Sequence, residues 1–381
     1  MQEEFDVGVV GGGIVGLLTA WQLAKYGQRT ILFERNQVNN SQGSSKGNSR
    51  MFGESFEREI YFKLACRSRE LWHDLENESG EKLLYLNGGL DIVSGSNSKE
   101  GVKKIASALR RRKKEFDLLD AVSLHQRYSQ FNVNQKVNAV YSPDSGILRA
   151  DKCMSTAVLA AKKLGVVIKD EAKVVALKLE NRMISITLAS DRKYYSREVV
   201  LAAGPWMPVI LGKLGVNLPL TVSQEQTVYF VPQCNLSSFE PENFPVWEWD
   251  GAQFVYGFPI FEERGIKIAF HQDGHKLKSL REFKKTPSRE VIDRLGLFLN
   301  KHIPDAAGEA FGATTCLYTN TPDNDFVSDA VSDIPQIKFF TGDSGHGFHC
   351  APAIAEILAD LSFKGKTTLD ISPFSLRRFT A

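Results

Sequence analysis

The feature that most constrains this chain lies at its start. Within FDVGVVGGGIVGLLTAWQLAKYGQRTILFER, residues 5–35, an apolar run at 7–10 leads straight into Gly11, Gly13 and Gly16. Ile14, Leu17, Leu18, Trp21 and Ala24 then recur at helical spacing, and a second apolar run at 30–33 ends on Glu34. Strand, G-x-G-x-x-G loop, helix, strand and acid, in that order, make a dinucleotide-binding unit. Gly11 allows the tight turn, Gly13 lets backbone approach a pyrophosphate, and Gly16 lets the helix pack close to the sheet. The first N–H groups of the helix, Ile14 and Val15 among them, direct partial positive charge toward phosphate. Glu34, followed by Arg35, stands where a side chain can accept hydrogen bonds from a ribose diol. The loop alone leaves NAD and FAD both open.

At 381 residues the chain is long enough for two domains. A net charge of +2 gives no reason to expect a nucleic-acid partner. The five cysteines, Cys66, Cys153, Cys234, Cys316 and Cys350, are odd in number and lack C-x-x-C spacing. That argues against a disulfide framework or a zinc site and for a reducing compartment. With no apolar run of transmembrane length and no signal-like segment before the first strand, a soluble cytoplasmic protein with no membrane partner is expected.

Residues 36–50 are polar, NQVNNSQGSSKGNSR, and suit either a solvated loop or one lying against a flat ring, with Ser44, Ser45 and Ser49 as small hydrogen-bonding groups. The spacing predicts a helix over 57–76, strands over 83–93 around a Gly88-Gly89 turn, and a helix over 99–116 whose basic patch at 110–114 reads as a solvated face. Asp151 reads as the N-cap of a helix running to 164, followed by a strand at 166–168. Strands at 174–179 and 183–188 pair across Asn181-Arg182, and a buried strand over 197–203 ends in Ala202-Ala203-Gly204-Pro205-Trp206. Short alternating runs between 220 and 269 predict an antiparallel sheet. A helix over 288–301, an extended segment at 313–321, and a strand, glycine turn and helix over 337–361 complete the chain. The expected fold is therefore α/β. A Rossmann-type cofactor domain is assembled from residues 1–82, 150–222 and 326–381, and an α+β substrate domain with an antiparallel sheet from 83–149 and 223–325.

Thr314, Cys316, Tyr318 and Asn320 share one face if their segment is a strand, and spacing alone makes Cys316 a buried structural cysteine. Lys267, Ala269 and His271 also share a face. An unpaired buried ammonium is costly, so they face either water or a polar site. The turn Thr341-Gly-Asp-Ser-Gly-His-Gly-Phe-His349 can bring backbone close to a ring or simply join strand to helix.

Taken together, these motifs resemble the monomeric sarcosine oxidase and N-methyltryptophan oxidase family of D-amino-acid-oxidase-like flavoproteins. The resemblance rests on V-G-G-G-I-V-G with Glu34-Arg35, G-S-S-K-G-N-S-R, R-S-R-E-L-W, A-A-G-P-W, Y-G-F-P, G-I-K-I-A-F-H, C-L-Y-T-N-T-P-D, S-G-H-G-F-H and G-K-T-T-L-D-I-S-P-F-S, and covers nearly the whole length. It implies FAD as the cofactor, with Cys316 as its covalent attachment point through a thioether to the flavin. It places Val174, Ala203, Gly204 and Trp206 in the cofactor site, and Ser49 and Arg50 beside one flavin face. Ser344, Gly345, Gly347, Phe348 and His349 fall against the flavin's pyrimidine end. Lys267 becomes the site of oxygen reduction, and Tyr256, His271, Tyr318 and His349 surround the substrate.

Two positions depart from the family. Its amino-acid oxidases hold the substrate carboxylate with an arginine three residues after the counterpart of Arg50 and a lysine after G-H-G-F; here those places are Gly53 and His349. The segment is one residue shorter, and the nearest later arginine is Arg58. Glu54 and Glu248 put acids near the pocket segments, while Trp247 and Trp249 serve either the pocket or the sheet core. The expectation is an FAD-dependent amine oxidase, a monomer acting with O2 on a small amine or N-substituted amino-acid derivative to give an imine and hydrogen peroxide. Its substrate would lack a free carboxylate here, as in an amine, an ester or amide, or an amino acid tethered to a carrier. A dehydrogenase using another acceptor and a non-redox flavin-binding module are the alternatives.

Overall fold

A computed structural model describes residues 4–379; the outermost positions of the expected FAD-binding segments, 1–3 and 380–381, lie outside it. Glu4–Val10 is buried along almost its whole length and sits at the centre of an eight-stranded sheet. It pairs in parallel with Thr30–Phe33 on one side and Lys193–Leu201 on the other. Val167–Lys169 extends the sheet in parallel beyond Thr30–Phe33. The long Lys193–Leu201 strand splits its pairing, its first half with Met183–Leu188 and its second with Ile334–Thr341. Near-continuous apolar strands of this kind form because helices and sheet cover both faces. Val7 and Val9 meet the helices Ile14–Lys25, Glu59–Ser79, Ala150–Lys163 and Ala351–Phe363 in one core. Phe5, Ile31, Phe33, Val199 and Leu201 meet the Val174–Glu180 and Met183–Leu188 hairpin in another. The hairpin turns through Asn181 (φ 49°) and Arg182 (φ 68°), the left-handed pair that matches strand twist in a two-residue loop.

A second sheet of nine strands is centred on Thr221–Phe230, Ile266–Phe270, Val255–Ile260, Val246–Asp250 and Gly89–Ser94, in that spatial order. Ala310–Asn320 runs antiparallel along Thr221–Phe230. Leu90, Ile92, Trp247, Trp249, Ile266, Ile268 and Phe230 point to one face, where they form a core with Leu295 and Leu299 of the helix Arg289–His302. Side chains one residue out of step, Asp91, Glu248, Tyr256 and Lys267, occupy the opposite face. A small sheet of Ser49–Phe52, Gly146–Arg149 and Leu84–Tyr85 completes the set.

Three local expectations need correction. The strands flanking Gly88-Gly89 do not pair with each other: Leu84–Tyr85 joins the small sheet and Gly89–Ser94 the nine-stranded one. Asp151 is not a cap but lies in the first helical turn, where its carboxylate accepts from the Gly47 N–H at 2.8 Å. The basic patch is not uniformly solvated. Arg112 stacks over the Phe62 ring at 4.3 Å and donates to Glu59 at 3.1 Å, while Lys114 pairs with Glu54 and, at 3.0 Å, with Asp144. Among the described residues no helix is long and apolar enough to cross a membrane.

Candidate active site

A cleft of ≈ 430 Å³ runs from Glu34 and Arg35, past the glycine loop, to the turn at Thr341–Asp343. The loop needs its glycines. Gly11 has φ 115°, and a Cβ there would lie 2.3 Å from the Ala202 carbonyl oxygen. A Cβ on Gly16 would lie 1.9 Å from the Gly11 oxygen, so the helix could not approach the loop. Gly13, Ile14 and Val15 line the cleft, and Ser45 Oγ accepts from the Ile14 N–H at 3.1 Å. Buried Glu34 accepts from the Gly12 and Asn36 N–H groups, both at 2.8 Å, and from Asn40 Nδ2 at 3.3 Å. A carboxylate offers about four acceptor positions, so one is left for a ligand hydroxyl. Ser44, Val174, Ala203, Gly204 and Trp206 continue the wall, with the Arg35 guanidinium 4.6 Å from the Trp206 ring and its Nε unpaired. At the far end Thr341 Oγ1 and Asp343 Oδ1 are buried without a partner, and burial pushes the Asp343 carboxyl up to about 6. A long cleft with an acid and helix N–H groups at one end and orphaned polar atoms at the other fits FAD.

Beyond that end lie the remaining candidates. Lys267, 4% exposed, donates from Nζ to the Ser49 carbonyl at 2.6 Å and sits 3.9 Å from the Phe258 ring centroid. Burial, and then the nearby Arg50 guanidinium, pushes its pKa well below the ordinary lysine value. Arg50 is spent on backbone: it donates to the carbonyls of Ser49 at 2.8 Å and of Ser44 and Lys46 at 2.7 Å. It also lies 5.5 Å from the ring of Phe348. Cys316 stands opposite Glu225 in the strand pairing, and burial raises its thiol to about 11. His271 packs 5.8 Å from Tyr318 and 6.5 Å from Tyr256. Burial lowers His271 to about 4 and raises both tyrosines, so all three are uncharged near neutral pH. Ser344 is fully buried with its carbonyl accepting from Gln272 Nε2 at 3.1 Å. Gly345 (φ 87°) lies against Tyr318, whose ring a Cβ would meet at 2.1 Å. Gly347 and Phe348 lie on the cleft wall.

Neither of the two positions at which the family resemblance expects a cation carries one. Gly53 has no side chain and lies against Ser145, whose Oγ would be 3.3 Å from a Cβ. Burial lowers His349 to about 4; its ring stacks edgewise against Phe52 and Phe56, at 6.2 and 5.3 Å, and its Nε2 has no partner. Arg58 turns outward to pair with Asp325. Of the two acids near these segments, Glu54 is paired with Arg69 Nε at 3.0 Å and with Lys114. Trp247 and Trp249 belong to the core on the other side of the sheet. Glu248 does lie on the site face, directly between Tyr256 and Asp91 in the strand pairing. Asp91 was not among the residues picked out by motif. Its only signal is the alternation Leu90-Asp91-Ile92, an acid out of phase with a buried apolar face.

The chain matches the family described as FAD dependent oxidoreductase over residues 6–361. It is 30% identical to a peroxisomal sarcosine oxidase of Homo sapiens over 98% of this chain and 96% of that protein. It is 29% identical to a monomeric sarcosine oxidase of a Bacillus species, covering 99% and 97%. An N-methyl-L-tryptophan oxidase of Escherichia coli is 27% identical, covering 99% of this chain and all, 100%, of that protein. Among solved structures, the open form of NikD, an unusual amino acid oxidase essential for nikkomycin biosynthesis, superposes with TM-score 0.86 at 24% identity, covering 98% and 97%. The L-proline dehydrogenase of P. horikoshii superposes with TM-score 0.87 at 22% identity, covering 100% and 99%. At these identities the structural likeness is one of fold.

Proposed function

Since the chain belongs to the DAO family of FAD-dependent oxidoreductases, with sarcosine oxidases among its relatives, we propose that it oxidises the C–N bond of an amine that carries no free carboxylate beside the reacting carbon. One observation carries this reading: at the two positions where the family resemblance would put cations, Gly53 has no side chain and His349 is uncharged. A bidentate Arg–carboxylate pair has no substitute in a glycine and a neutral imidazole.

The glycine loop and Glu34 hold the ADP end of FAD, and Cys316 is the side chain that tethers the ring. Held there, FAD would supply a two-electron oxidant that O2 can regenerate. The balance is a CH–NH group plus O2 giving C=N plus H2O2. The substrate amine must be neutral, because its lone pair stabilises the developing C=N bond. Tyr256, Tyr318 and His271 favour that form, since none of them carries charge near neutral pH. Lys267 serves the oxygen step. Its surroundings disfavour the ammonium, and a negative charge forming on oxygen beside it would offset that cost. The protein acts as a monomer on a small molecule.

His349→Lys, alone and with Gly53→Arg, tests the reading by steady-state peroxide formation. The double variant should gain at least about tenfold in kcat/KM for sarcosine over the natural protein. Efficient turnover of free N-methyl amino acids by the natural protein contradicts the reading.

A further inference from the structure

Resting on the amine-oxidase reading, we propose that Asp91 and Glu248 form a subsite for a second, non-reacting ammonium of the substrate, which makes the substrate a diamine. The two acids are neighbours in the parallel pairing of Gly89–Ser94 with Val246–Asp250, and Glu248 faces Tyr256 in the antiparallel pairing with Val255–Ile260. One row across the sheet thus reads Asp91, Glu248, Tyr256, Ala269. Strands lie roughly 4.8 Å apart, which puts Glu248 about one spacing and Asp91 about two from the Tyr256 position. Both acids lie on the face that carries Lys267 and Cys316, the face of the reaction.

Among the described residues no cation is paired with either acid. Both carboxylates are set deep in the protein, yet neither residue is fully buried. Glu248 has no hydrogen bond or ion pair among the described residues, and the charged groups acting on it are Asp91 and Asp250. Asp91 has one donor, the hydroxyl of Ser55, on the segment that carries Gly53. Three other buried acids are provided for: Glu54 has Arg69 and Lys114, Glu225 has Ser223 and the Gly274 N–H, and Glu34 has three donors. Burial and mutual repulsion push Glu248 up to about 8, and burial pushes Asp91 up to about 6. Lys267, the cation on the same face, is committed to the Ser49 carbonyl and the Phe258 ring. An ammonium entering between the acids would relieve the repulsion and replace solvent with charge-assisted hydrogen bonds. The pocket has exchanged an anion clamp for a cation clamp. A reacting secondary amine and a primary ammonium separated by about four methylenes would span one strand spacing or slightly more.

The holoenzyme is assayed with N-methyl-1,4-diaminobutane and with N-methylpentylamine, in which a methyl group replaces the terminal ammonium. The diamine should be preferred at least about tenfold in kcat/KM, mainly through KM, and its KM should fall as pH rises toward 8 and the pair ionises. Glu248→Gln and Asp91→Asn, each checked for an unchanged flavin spectrum, should bring the ratio of the two substrates to within about threefold of one. A ratio near one in the natural protein, or one unmoved in both variants, overturns the subsite while leaving the amine-oxidase reading in place. Reduction of the flavin by neither amine overturns both.

Discussion

Lys267 Nζ donates to the carbonyl oxygen of Ser49 at 2.6 Å, a bond that closes 218 residues of chain. It joins the nine-stranded sheet to the small sheet that follows the polar loop, so the lysine is fixed in place by backbone. Lys267→Met keeps the length and removes the amine. It should slow reoxidation of reduced flavin at least about a hundredfold, while anaerobic reduction by substrate changes by less than about tenfold. Rapid-mixing measurements of the two half-reactions separate these effects. Equal slowing of both would mean that the lysine only supports the fold.

Gly16→Ala should prevent assembly of the cofactor domain. Its Cβ would come 1.9 Å from the Gly11 carbonyl oxygen, and both partners are backbone, so relief requires moving the helix off the sheet. A loss of about 3 kcal/mol or more is expected, measured by denaturant unfolding of the flavin-free protein. Gly27→Ala is the control for backbone strain alone: Gly27 has φ 75° with nothing near its Cβ position, and should cost only about 1 kcal/mol.

Cys316→Ser should release the flavin on acid precipitation, whereas the natural protein should carry it into the precipitate. The thiol lies on the site face, with burial holding it up to about 11, so attachment needs the positive charge of Arg50 nearby to favour the thiolate. Free FAD in the supernatant of the natural protein would remove Cys316 as the tether.

Buried histidines and a buried glutamate make stability depend on pH with opposite signs. His271, His346 and His349 are lowered to about 4 from an ordinary 6.5, so between those values the unfolded chain binds protons that the folded chain refuses. Stability is therefore lost as pH drops through that window. Glu248 is raised to about 8 from 4.5, so between those values the folded chain holds a proton that the unfolded chain has released, and stability is lost as pH rises. Thermal unfolding of the holoenzyme from pH 4 to 9 should show the acid limb, and the natural protein should lose stability relative to Glu248→Gln as pH rises from about 5 to about 8. A difference that stays constant across that range would mean Glu248 is solvated.

The cofactor end of the molecule was legible because its chemistry is local. The glycine loop, the helix start and Glu34 fall within one strand–helix–strand unit, and each residue's neighbours are set by short-range geometry. The two-sheet α/β fold followed from where the apolar periodicity changed. The reaction end was harder. Lys267 and His271 announced a polar surface, but spacing alone made Cys316 an ordinary buried thiol, and family motifs were needed to read it otherwise. Asp91 could not be read at all, since its meaning comes from a strand more than 150 residues later. The pairing of Glu54 was hidden for the same reason: its partner Arg69 lies in the next helix and Lys114 further still. The charge of a buried side chain depends on pairings that only tertiary structure makes.

The most direct test of the central claim is anaerobic bleaching of the flavin by a matched pair, N-methylpentylamine and the same molecule with a carboxylate on the carbon next to nitrogen. Without a carboxylate clamp, the amine should reduce the flavin at least about tenfold more efficiently than the amino acid, because the carboxylate would be desolvated with no cation to receive it. Faster reduction by the amino acid would contradict the account.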